Sequence, residues 1–247
     1  MDDIVLIKNR FNDLASRSYE RGIYTYSEFL TMAEQSELKK MKFNIKFQLY
    51  GGYESAERRI VIFGNEQDFG YESFPPVVFI CIAPLQMKFA DKFTHRDFLG
   101  SLMALGIKRE MLGDIIIKEN CAYIACIDTI ADYIIEQLDK VRHTSVKCTL
   151  CDSLPEDALP ELQCEELIVA SERIDVLISA VYNLSRNESQ KKIEAETVFC
   201  DSITVKSPSF VPGKGNIISV RGCGRFVYEG ILRTTKKGRN VISVKKY

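Results

Sequence analysis

Cys148-Thr149-Leu150-Cys151 sets two thiols at the spacing of half a zinc site, or of a dithiol that cycles with a disulfide. A zinc site needs two further ligands. The available ones are His143 and Cys164, and neither repeats the spacing. A redox pair opens a helix after a strand, whereas Asp152-Ser153-Leu154-Pro155 follows here, so both cysteines read as reduced surface or strand-end thiols. His95-Arg96-Asp97 has the letters of a kinase catalytic loop, but the asparagine five residues on, the glycine-rich loop and the Asp-Phe-Gly are missing. Thr94 and Asp97 instead have the form of a helix-capping box, which leaves His95 and Arg96 exposed at a helix start. The chain has two histidines, no Ser-His-Asp or Cys-His set, and no carboxylate pair of assignable geometry. The sequence therefore offers no catalytic residue, no metal site and no cofactor.

What it does offer is cations. The net charge is −1, yet Leu167 to Tyr247 holds fourteen Lys and Arg against seven Asp and Glu, an excess of +7 on an acidic body of −8. A basic module on an acidic body is the distribution expected when one domain binds phosphate. Its candidate contacts are Arg173, Ser185, Arg186, Lys191, Lys192, Arg221, Arg225, Lys236 and Lys237. Arg173 opens one helix and Arg186 the next. A short turn would then set two guanidiniums, free amides and helix dipoles at neighbouring helix starts. The other reading pairs these arginines with Asp175 or Glu188. A second RNA patch is offered by Arg58, Arg59, His95, Arg96, Lys108 and Arg109. For Arg58 and Arg59 the charge pattern favours a solvated edge partnered by Glu54 and Glu57.

The elements that must position these residues follow from periodicity. Ile4, Ile7, Phe11 and Leu14 share one helical face; a second helix runs from Ser27, as N-cap, to Met41. Phe43, Ile45, Phe47 and Leu49 alternate as a strand, and Ile60 to Phe63 is another. From Val77 to Cys148 the order is β-α-β-β-α-β, the split βαβ order of ferredoxin-like folds and many RNA-recognition domains. The aromatic pair on which such domains stack bases has no clear counterpart, since Ile115 to Lys118 reads Ile-Ile-Ile-Lys. Residues 152–166 hold six acids, two prolines and no Lys or Arg, as a connector would. Ile174, Leu177, Ile178 and Val181 then mark a helix, and Ser185 with Glu188 a capping box for the next. Residues 197–205 read as a hairpin. The fold class is α+β: 1–70 a helix and strand region, 71–150 ferredoxin-like, 151–166 an acidic linker, and 167–247 the basic domain of an αα-turn plus a small antiparallel sheet.

At Arg173-Ile174-Asp175, Ser185-Arg186, residues 196–201 and Gly215-Asn216-Ile217-Ile218-Ser219-Val220 the chain resembles the S-four RNA-binding domain. That pattern is Arg-Leu-Asp, Ser-Arg, Gly-x-Val-x-Val-Asn and Gly-Asp-x-Ile-x-Val. Glu196 stands for its hairpin glycine, Asp201 for its asparagine and Asn216 for its aspartate. Gly51-Gly52-Tyr53, Ala56-Glu57-Arg58-Arg59, residues 94–103 and 105–110, Gly113-Asp114-Ile115 and residues 219–226 are further similar to the YlmH family of bacterial RNA-binding proteins. The resemblance implies a non-catalytic protein that binds ribosomal RNA and tRNA, with the large subunit carrying peptidyl-tRNA as its partner in quality control or rescue. Alternative readings are a cell-division scaffold and an accessory factor to an RNA-modifying enzyme. A composition 46% hydrophobic and 27% charged, an acidic start unlike a secretory signal and no long apolar run point to a cytoplasmic globular protein with neither membrane nor small-molecule partner.

Overall fold

The computed structural model describes residues 2–151, 153–159 and 162–247, which form two compact units, Met1–Leu159 and Pro160–Tyr247. Asp152, Pro160 and Glu161 of the expected connector lie outside the described residues.

In the first unit, α1 (Asp2–Arg21) buries Phe11, Leu14 and Ala15, while Ile4, expected on the same stripe, is exposed. Strand β1 (Thr25–Tyr26), helix α2 (Met32–Lys40), β2 (Phe47–Tyr50), β3 (Ile60–Phe63) and the single turn α3 (Glu66–Phe69) follow, with the strands in the order β1-β3-β2. Helix α2 starts later than the sequence suggests. Thr31, not Ser27, is its N-cap: the Thr31 amide donates to the Glu34 carboxylate at 2.6 Å. Ser27 is needed elsewhere, because its hydroxyl accepts the Val61 amide at 2.9 Å and holds the chain extended along β3. The strand expected from Phe43 is confined to β2, and Phe43 instead packs edge-on against Phe47 and Phe63.

Next come β4 (Val77–Pro84), α4 (His95–Ala104), β5 (Leu112–Lys118), β6 (Cys121–Ile127), α5 (Ala131–Gln137), β7 (Lys140–Val141) and β8 (Thr144–Cys151), in an antiparallel sheet ordered β5-β6-β4-β8-β7. One sheet face joins α4 and α5 in a core of Ile80, Ile82, Phe98, Leu102, Ile124 and Ile134. Phe79, Ala125 and Ile127 alternate to the other face and share a core with Phe29, Ile60 and Ile62. The two regions drawn apart at residue 70 are therefore one packed body, and the sheet face that RNA-recognition domains leave open is partly covered here.

The second unit begins with β9 (Gln163–Val169), then α6 (Ile174–Tyr182), α7 (Arg186–Glu194), β10 (Val198–Cys200), β11 (Ile203–Thr204), β12 (Ile217–Val220), β13 (Gly224–Thr234) and β14 (Asn240–Lys246). The sheet order is β11-β10-β12-β13-β14-β9. The last residues assigned to an acidic linker are thus a sheet edge: Glu165 pairs with Lys246 and Glu166 with Arg233 at 2.7 Å. Counted from residue 160, the unit holds fourteen basic residues against ten acidic, which reduces its excess to +4.

Two of the three departures from the S-four pattern meet in one contact. Glu196, in place of glycine, sits in the left-handed region at φ 53°. Asp201 and Asn216 contact one another: the Asn216 side-chain amide donates to the Asp201 carboxylate at 2.7 Å, and the Ile217 amide to its other oxygen at 2.8 Å. Where the pattern has asparagine and aspartate this chain has aspartate and asparagine, and the two side chains are bonded to each other. Asn216→Asp alone sets two carboxylates face to face and is expected to cost about 1–2 kcal/mol in urea unfolding. The D201N/N216D double variant should recover most of it; equal losses in both would show that the pair is not coupled.

Candidate nucleic-acid interface

The first-unit patch divides. Asp114, at the start of β5, accepts the Tyr53 hydroxyl at 2.7 Å and the backbone amides of Glu57 at 2.7 Å and Arg58 at 3.1 Å. This carboxylate fastens the Gly51–Arg59 loop onto β5. The backbone at Gly51 passes so close that a Cβ there would stand 2.4 Å from that of Ala56. Arg58 then reaches inward and donates to the Leu112 carbonyl at 3.0 Å and the Phe29 carbonyl at 2.9 Å. Arg109 donates to the carbonyls of Leu112 at 2.6 Å and Gly113 at 3.1 Å. Burial, with Arg58 alongside, pushes the Arg109 guanidinium down to about 10, still charged at neutral pH. Arg59 donates to the Ala56 and Glu54 carbonyls at 2.6 and 2.7 Å. Arg58 and Arg109 are half-buried fasteners, a correction to the expected patch, while Arg59 braces its own loop. His95, Arg96 and Lys108 remain exposed. The α4 cap is as expected in part: the Asp97 carboxylate accepts both the amide and the hydroxyl of Thr94.

In the second unit the expected pairing of Arg173 with Arg186 fails on length. Nine-residue α6 spans about 13 Å, and α7 starts where α6 ends, so the two arginines mark opposite ends of α6. Nor is the start of α6 open to an anion. Its Ile174 amide donates to the Phe210 carbonyl at 2.8 Å, and its Val176 amide to Asp175 at 3.0 Å. Arg173 grips Asp175 with both arms, at 3.0 and 2.8 Å, and Asp175 is fully buried. Ser185 caps α7: its amide donates to Glu188 at 2.7 Å and its hydroxyl accepts the Glu188 amide at 3.2 Å, so its role is in the helix. The Ser185 hydroxyl and amide beside it hold the Glu188 carboxyl below its usual range.

A different set comes together. Lys192 Nζ lies 3.5 Å from the Arg221 carbonyl, which draws the end of α7 onto the turn between β12 and β13. The Arg221 amide donates to Thr197, and the Arg221 guanidinium lies over the Phe199 ring, 5.1 Å from its centre. Arg225 lies 4.2 Å over Tyr247. Gly222, at φ 80°, and Gly224, at φ 125°, take the backbone through conformations that other residues resist. Arg186, Lys191, Arg221 and Arg225 are exposed. Lys236 and Lys237 are exposed at the β13–β14 tip, roughly 30 Å along β13 from this turn, and are a separate feature. Sequence reading missed Phe199 and Tyr247. The signal was strand alternation, which turns Phe199, Ser219 and Arg221 to one face.

Residues 79–153 match the family described as "Putative RNA-binding domain in YlmH". Over that stretch the chain is similar to this family. It is 29% identical over 226 residues to the "Ribosome-associated protein quality control protein P2" of Bacillus subtilis (strain 168), covering 86% of this chain and 83% of that one. The solved structure of the "Cell division protein ylmH from Streptococcus pneumoniae" aligns with a TM-score of 0.51 at 14% identity, over 60% of this chain and 91% of that chain, a likeness of fold. Within the matched stretch the two thiols of Cys148 and Cys151 stand three residues apart on β8 and so point to opposite faces. Cys148 enters the helix-side core, where burial raises its thiol to about 11, and Cys151 packs against the Phe29 and Phe79 cluster. They cannot close on one ion. Among the described residues no helix is long and apolar enough to cross a membrane.

Proposed function

We propose that the chain is a non-catalytic RNA-binding protein that works on the ribosome in the quality control of stalled synthesis, its target the large subunit carrying peptidyl-tRNA. The second unit is read as an S-four-type domain, since two short helices precede an antiparallel sheet, and its phosphate contact as α7 with the 220–224 turn. The observation that carries this is the junction of Lys192 with the Arg221 carbonyl, which sets α7, with its exposed Arg186 and Lys191, against the turn that carries the exposed Arg221. The named relative in Bacillus subtilis supports the ribosomal setting. Guanidiniums suit the contact because each can grip two phosphate oxygens.

Co-sedimentation with ribosomes tests it. Arg186→Gln with Arg221→Gln is expected to weaken association about tenfold or more near physiological salt. The slope of log affinity against log salt should fall by about two, one for each phosphate contact removed. Association that survives RNase treatment and ignores the double variant would favour a protein-binding scaffold instead.

A further inference from the structure

We propose that the outward face of the six-stranded sheet is a stacking platform for unpaired RNA bases, a second contact beside the phosphate site and resting on the RNA-binding reading above. Phe199 stands opposite Ser219 and Ser219 opposite Arg225 in the strand register, and the Tyr247 amide donates to the Arg225 carbonyl. Phe199, Ser219, Arg225 and Tyr247 therefore form one row across four neighbouring strand positions. Their chain neighbours Val198, Cys200, Ile218, Val220 and Phe226 are all buried in the helix-side core, so alternation places the row on the opposite face.

The row has a particular chemistry. At one side the Arg221 guanidinium lies over the Phe199 ring; at the other Arg225 lies over Tyr247. Between them in the register stands the small side chain of Ser219. Each arginine and ring pair is a flat cationic surface, and a flat base stacks on a ring or on a guanidinium plane while its phosphate meets the same charge. Bases inside a duplex have both faces covered, so the platform selects unpaired strands. An acidic peptide would meet the charges but gain nothing from the rings.

The chain has no tryptophan, so the Y247W variant carries a single indole as reporter. Unpaired oligoadenylate decamers should quench its emission at concentrations at which a blunt RNA duplex leaves it unchanged. Replacing Phe199 and Tyr247 by leucine keeps apolar cover and should lower decamer affinity about tenfold more than duplex affinity. If Phe199→Leu disturbs folding, Tyr247→Leu alone, at a 41% exposed position, carries the comparison and should show the same preference. Equal losses for decamer and duplex, no loss for either, or equal quenching by an oligoglutamate peptide would overturn the platform. A chain that binds duplex but ignores the decamer overturns the platform alone; one that binds neither overturns the RNA-binding reading itself.

Discussion

Asp114→Ala is expected to destabilise the first unit by about 3–5 kcal/mol, because one carboxylate closes three hydrogen bonds across a long chain separation. Two of its donors are backbone amides of the Gly51–Arg59 loop, which the substitution leaves without their acceptor. The half-buried guanidinium of Arg109 would also lose the counter-charge of Asp114, and that of Arg58 one of its counter-charges, behind Glu34. Urea unfolding followed by circular dichroism reads the loss. Asp114→Asn keeps one oxygen and should cost about half as much. A loss under about 1 kcal/mol for the alanine variant would mean that the loop is held by its packing and not by this carboxylate.

Arg173→Ala should cost the second unit about 2–3 kcal/mol, although a contact residue on a helix start would ordinarily be dispensable for folding. Asp175 is fully buried, and Arg173 supplies two of its hydrogen bonds. Removing one partner of a buried pair leaves a carboxylate out of water with only an amide to satisfy it. The arginine is 40% exposed, so the figure is kept below that for a wholly buried pair. With Asp175→Asn in the background there is no stranded charge, and the further loss on removing Arg173 should shrink below about 1 kcal/mol. Thermal melts of the single and double variants decide it; an unchanged melting temperature for Arg173→Ala would return the residue to a surface role.

What the sequence disclosed was what is decided within a turn or a strand. The Ser185–Glu188 cap needs only residues three apart, and the strand from Ile60 to Phe63 announces itself by its apolar run. The element order from β4 to β8 follows from runs broken at Glu119-Asn120 and Gly113-Asp114. What stayed hidden was decided far along the chain. Ser27 passes for a helix cap until the Val61 amide claims its hydroxyl. Arg58 looks like a surface cation until the Phe29 and Leu112 carbonyls are placed beside it. The two glutamates of β9 suggest a linker when counted in sequence, and an edge strand only when Arg233 and Lys246 are seen across from them. The exchanged Asp201 and Asn216 counted as two separate departures until their contact was seen.

The closure of the second sheet has a consequence for synthesis. Strand β9 is the first element of its unit and pairs only with β14, from Gln163 opposite Lys246 to Val169 opposite Asn240. A chain emerging from the ribosome in order presents β9 more than seventy residues before its only neighbour exists. Until then an apolar strand carrying Leu167, Ile168 and Val169 has an open edge, the situation in which strands find wrong partners. The glutamates at 165 and 166 stand at that edge as negative charges that discourage association with a second nascent copy, and they are neutralised only when Lys246 and Arg233 arrive. The unit thus acquires its complete sheet, and with it the Arg225 and Tyr247 stack, only once β14 has been made.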